Sequence, residues 1–129
     1  MKSVDTSVVL RLFRSETPHQ REAALEALSQ TVLVPQTVLL ELAWVLTSVY
    51  RYSREDAANA LLSVLDYRTV YVQHAKASRW AIARFRAGAD VADMFHLVES
   101  EETSAFVTFD RRMAAQAGPN PPVPIETLA

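Results

Sequence analysis

The chain has 129 residues, half of them apolar or aromatic, and carries 15 acidic and 13 basic side chains for a formal charge of -2. That size suits one ordinary domain with a substantial core, and near-neutrality excludes the overall basic field of a passive nucleic-acid binder. The absence of Cys excludes disulfides, thiolate zinc sites and cysteine nucleophiles, while two glycines, Gly88 and Gly118, cannot build a Walker loop or a dinucleotide-binding fingerprint.

In chain order, Ser3-Val4-Asp5 reads as the end of a short strand, followed by a helix whose apolar face is Val8, Val9, Leu12 and Phe13. Pro18 opens a second helix through Ala23, Ala24, Leu25 and Leu28, and Thr31-Val32-Leu33-Val34 is a compact β-branched run typical of a buried strand. A long apolar helix starts at Pro35. Ser53, with Asp56 three residues on, reads as a capping box before Ala57, Ala60, Leu61, Val64 and Leu65, and a strand follows at Thr69 to Val72. Ala75 to Ala87 is helical, with Trp80, Ile82 and Phe85 among Arg79, Arg84 and Arg86, and Gly88 stops it. Ala92 to Glu101 is a further helix. Ala105 to Phe109 is the clearest strand and ends at Asp110, before a short helix beginning at Arg111; the proline-rich tail adds an edge strand at Val123 to Ile125. Strands separated by helices argue for a mainly parallel sheet, and sites in such sheets form outside the C-terminal ends of the strands.

Asp5 and Asp110 both lie at such ends. Glu41 is the only charged residue between Pro35 and Tyr50, with Val38 and Val45 on the same helical side, so it is expected to be at least partly buried and to need a partner. That partner is either an arginine or a metal ion. Taken alone, Asp5 and Asp110 are equally well explained as helix caps, and Asp90 or Asp93 as the cap after Gly88. Four acids converging at one sheet edge would repel unless a cation were present, and an oxygen-only donor set favours Mg²⁺ or Mn²⁺, which commonly meets a phosphate substrate. His96, three residues after Asp93, is a hydrogen-bonding neighbour of such a site, a ligand in it or, more commonly for such a histidine, a partly buried surface residue. Trp44, Trp80, Phe85 and Phe95 are read as core or dimer-interface residues. Arg79, Arg84 and Arg86 are read as a solvated face in preference to an RNA-guiding strip. The basic residues are 11 Arg and 2 Lys, a skew that suits phosphate contacts and that a GC-rich genome also produces.

At this point Val4-Asp5-Thr6-Ser7, Glu41 in its apolar helix, Gly88-Ala89-Asp90-Val91-Ala92-Asp93 and Val107-Thr108-Phe109-Asp110-Arg111 together resemble the PIN-domain ribonucleases, specifically VapC-type toxins of bacterial toxin–antitoxin pairs. The resemblance covers nearly the whole chain. It implies a single domain over residues 1–129, an α/β/α sandwich with a mainly parallel five-stranded sheet flanked by about seven helices. It further implies an acidic pocket in which Asp5, Glu41, Asp93 and Asp110 are the catalytic and metal-ligating acids for one or two Mg²⁺ or Mn²⁺ ions. Thr6 and Thr108 match supporting hydroxyl positions, and Asp90 an accessory acid that is not itself a ligand. Ser7 stands where the family often has Asn, Met94 where a small residue is common, and Arg112 where some members carry another acid. The implied partners are RNA as substrate, a second copy in a homodimer and a small VapB-type antitoxin.

The N-terminus has no apolar signal segment and no apolar run is long enough to span a membrane, so a cytoplasmic location is expected. Two rival functions remain at this level. A catalytically silent PIN-like domain that binds RNA or protein shares the same residues and differs in turnover. A phospho-accepting receiver module fits poorly, because Asp5 is followed by Thr6-Ser7 where an acidic pair is needed, and the final lysine is Lys76.

Overall fold

The computed structural model describes all 129 residues, Met1 to Ala129. It is an α/β fold of five short strands and seven helices in which every strand pairing is parallel, the strands forming a three-stranded and a two-stranded sheet in place of the single five-stranded sheet expected from the sequence. The chain divides into two compact units, Met1–Gln73 and His74–Ala129.

The first unit runs β1 (Lys2–Ser3), α1 (Thr6–Leu10), α2 (Pro18–Ala27), β2 (Val32–Leu33), α3 (Gln36–Ser48), α4 (Arg54–Asp66) and β3 (Val70–Tyr71). Its strands lie in the order β1-β2-β3, with Lys2 opposite Val32 and Val32 opposite Val70. The ladders are shorter than the apolar runs suggested, but single hydrogen bonds extend them: Val4 N to the Leu33 carbonyl at 3.1 Å and Val34 N to that of Tyr71 at 2.9 Å. Because neighbouring parallel strands share one C-terminal edge, α1 and α3 both begin there, and they pack on each other. Helix starts follow the expected signals. Thr17 accepts from Gln20 N with Pro18 at the first position of α2, and Ser53 accepts from Asp56 N at 3.0 Å to cap α4. The inward-facing side chains of α3 and α4, Leu39, Leu42, Leu46, Leu61 and Val64, are fully buried.

The second unit runs α5 (Ala75–Arg86), α6 (Val91–Glu99), β4 (Phe106–Thr108), α7 (Met113–Ala117) and β5 (Ile125–Thr127). Helices α5 and α6 pack on each other, and Ile82, Phe85, Met94, Phe95 and Leu97 on them are buried. The tail strand falls two residues later than expected: Val123 is buried and the Pro124 carbonyl accepts from Phe106 N, so the ladder proper starts at Ile125. Arg84 corrects the reading of a wholly solvated arginine face. Its Nε donates to the Gln116 carbonyl at 2.8 Å, and a Cβ on Gly118, where φ is +76°, would meet its guanidinium carbon at 3.1 Å.

Two substitutions check this account of stability by reversible unfolding. Ser53→Ala is expected to cost about 1 kcal/mol through loss of the cap. Leu61→Ala, which empties a fully buried site, is expected to cost about 2 to 5 kcal/mol.

Candidate active site

The first backbone N–H groups of a helix have no partner within it, and short acidic side chains at strand ends are well placed to supply one. Asp5 does this for α1: its Oδ1 accepts from Ser7 N at 3.0 Å and from Ser7 Oγ at 2.5 Å. The Ser7 hydroxyl is the main reason the Asp5 carboxyl is held below the usual carboxylate range. Asp110 closes a similar local turn after β4, ahead of α7, whose N-cap is Arg112. Its Oδ1 accepts from Arg112 N at 2.9 Å, with Arg112 Nε at 3.4 Å, and its own N donates to Thr108 Oγ1 at 2.9 Å. The Arg112 backbone N–H is the largest cause of a lowered Asp110 pKa, and the Arg112 side chain adds to it. In both acids these bonds go to Oδ1.

Asp90 caps α6, accepting from Asp93 N at 2.9 Å, and its own N donates to Gln116 Oε1 at 2.8 Å. Arg84, Gln116 and Asp90 thus form a chain of hydrogen bonds that fixes the first turn of α6, where Asp93 sits. Gln116 was not singled out in the sequence, since its partners lie 26 and 32 residues away and no local pattern announces them.

Asp93 differs from the other acids. Its carboxylate is half-buried and accepts no hydrogen bond or ion pair. Burial is the first cause that pushes its pKa up, and the negative charges of Asp90 and Asp110 push it further; exposed His96 and Arg112 pull weakly the other way.

Glu41 departs from expectation. It lies on the outward stripe of α3 formed by Thr37, Glu41, Trp44 and Ser48, all exposed, while Val38, Leu39, Leu42 and Leu46 face inward. Glu41 has neither an ion pair nor a hydrogen bond. The reason is angular: Val38 and Val45 are neighbours of Glu41 in sequence spacing, but the buried arc of α3 is centred on Leu39, Leu42 and Leu46. Trp44 is 59% exposed, so of its two expected places it is not in the core, whereas Phe85 and Phe95 are core residues. Thr108 accepts from its neighbour's backbone, and Thr6 is 6% exposed with a hydroxyl oxygen that has no partner.

In neither unit do three or more acidic or histidine side chains come close enough to hold a metal ion. The donor chemistry nevertheless fits a hard divalent cation. The candidate groups are all oxygen donors, the buried Thr6 hydroxyl beside Asp5 is unsatisfied, and Asp93 carries a negative charge that neighbouring cations do not neutralise.

A pH dependence follows for the metal-free protein. An Asp whose folded pKa is raised destabilises the fold when ionised, so its penalty is present at neutral pH and vanishes below the unfolded value near 3.9. Asp5 and Asp110 have the opposite sign: their stabilisation is present above the unfolded value and is lost as pH falls through their lowered folded values. In EDTA, Asp93→Asn is therefore expected to melt higher than the parent at pH 7, with the gap closing as the pH approaches 3. A variant that melts lower at pH 7 would contradict this reading of Asp93.

No curated protein matches the chain. The PIN domain family matches residues 2–119, a span that includes Asp5, Glu41, Asp90, Asp93 and Asp110 and runs through both compact units. With that match covering nearly its full length, the chain belongs to the PIN domain family.

Proposed function

We propose that the chain is a Mg²⁺- or Mn²⁺-dependent endoribonuclease that hydrolyses RNA phosphodiester bonds, with Asp5, Glu41, Asp93 and Asp110 as its acids, and that it is the VapC-type toxin of a toxin–antitoxin pair. The observation that carries the reading is the Asp93 carboxylate, half-buried beside Asp90 and Asp110 without a positive partner, in a chain of the PIN domain family. Such a group costs stability and is retained for what it can bind.

In this reading Asp5, Asp93 and Asp110 would hold the metal and Glu41 would bind or orient the attacking water, a role that its exposed and unpaired carboxylate suits. The bound cation would supply acidification of water and compensation of charge on the phosphoryl oxygens. Ser7 and Arg112 keep Asp5 and Asp110 ionised and aimed. Thr6 and Thr108 support the neighbouring acids, and Asp90 positions Asp93 without binding metal. Asn caps a helix about as well as Asp, so Asp5→Asn separates chemistry from folding.

The single-domain organisation, a homodimer, a VapB-type antitoxin and a cytoplasmic location belong to the same proposal. Exposed Trp44 and Val49 on and just after α3 are compatible with association. No helix is long and apolar enough to cross a membrane.

Purified protein is expected to cleave mixed cellular RNA with Mg²⁺ or Mn²⁺ and not with EDTA, leaving 5′-phosphate and 3′-hydroxyl ends. Asp5→Asn and Asp93→Asn should each lose at least about 100-fold in rate while remaining folded. Equal cleavage by parent and variants would reveal a contaminant, 2′,3′-cyclic phosphate ends would mean attack by the RNA's own hydroxyl, and no cleavage would favour a silent binding domain. Expression without a partner should arrest growth; vigorous growth with soluble protein present would count against the toxin assignment.

A further inference from the structure

We infer that the cleft at the C-terminal ends of α1 and α3, formed by Arg11, Arg14, Ser15 and Tyr50, binds the phosphodiester backbone of RNA beside the bond being cut. The inference rests on the ribonuclease reading and adds a substrate-holding subsite to it.

The cleft has a volume of about 450 Å³ and is lined by those four residues together with Phe13 and Glu16. The Arg14 guanidinium lies 4.7 Å from the centre of the Tyr50 ring, and neither Arg11 nor Arg14 has an acidic partner. Two guanidiniums without acidic partners and with nearby hydroxyls are the donor set that phosphate oxygens favour. The overall charge of -2 makes such a local site necessary, because the chain as a whole does not attract a polyanion.

The backbone points the same way. The chain leaves α3 with Arg51 at φ +61°, and Tyr52 N reaches back to the Leu46 carbonyl at 2.9 Å. That left-handed position after a helix is normally filled by glycine. Holding an arginine there places a third exposed cation, also without an acidic partner, next to Tyr50.

Position ties the cleft to the proposed chemistry. Asp5 caps one end of α1 and Arg11 the other, so the two are about 9 Å apart along the helix axis. That separation along the axis is within the span of one short RNA strand. Glu16 is the one acid in the lining, and it opposes such a strand.

The test is binding of a labelled single-stranded RNA of about 12 nucleotides, followed by fluorescence anisotropy in EDTA over a range of salt concentrations. The double variant Arg11→Gln/Arg14→Gln is expected to weaken binding at least tenfold. It should also reduce the slope of log affinity against log salt by about 1.4, for two lost phosphate contacts on a single strand. Ser15→Glu should weaken binding, and Glu16→Gln should tighten it, a gain that a purely structural role would not produce. If the double variant fails to melt cooperatively, the two single variants decide. Unchanged affinity and slope in folded variants, or tighter binding of polyglutamate than of RNA, would overturn the subsite. The measurement needs no cleavage, so the two readings fail separately. Binding with these dependences but no metal-dependent cleavage removes the nuclease and keeps the subsite; cleavage with unaltered binding in the variants does the reverse.

Discussion

The constraint on which the rest depends is the need to satisfy backbone N–H groups where the chain enters a helix or a tight turn. In this chain carboxylates meet it three times: Asp5 for Ser7, Asp90 for Asp93 and Asp110 for Arg112. Each cap fixes a side chain near the end of an element through a contact that the fold itself requires. The acids of the proposed site are thus ordered without any ligand. In the proposed enzyme structure and chemistry would draw on the same residues, so the capping and metal-binding readings of these acids are compatible.

Asp93 stands outside that economy. It receives nothing from the fold in exchange for its partial burial, and its neighbours Asp90 and Asp110 raise the cost of its charge. Arg51 has a similar character, a bulky residue held in a left-handed conformation that glycine would adopt without strain. Both positions sacrifice stability locally, and both lie where the proposed enzyme would meet a cation or a polyanion. Residues that violate local rules in this way are the ones that physical reasoning marks for function.

Much of this arrangement was legible in the sequence. Turn and capping signals at Pro18, Pro35, Ser53 and Gly88 located four helix boundaries, and each β-branched or aromatic run contains one of the strands. The acids at strand ends could be listed for the same reason. What was not legible depends on angles and on long-range partners. The outward rotation of Glu41 is decided by which arc of α3 faces the core, and the apolar residues around it at three- and four-residue spacing pointed to the wrong arc. Arg84 looked solvated because its partners, Gln116 and Gly118, lie more than thirty residues away. The Arg11, Arg14 and Tyr50 cleft was hidden for the same reason, since its aromatic member comes from the end of a different helix.

The measurement that tests the central claim most directly is the melting temperature of the parent and of Asp93→Asn as Mn²⁺ is titrated at pH 7. A ligand that binds only the folded state stabilises it in proportion to the logarithm of its concentration above Kd. If Asp93 is retained for a cation, Mn²⁺ should raise the melting temperature of the parent progressively, leave the variant nearly unmoved and erase the variant's advantage. Equal shifts in the two proteins, or no shift in either, would contradict the account.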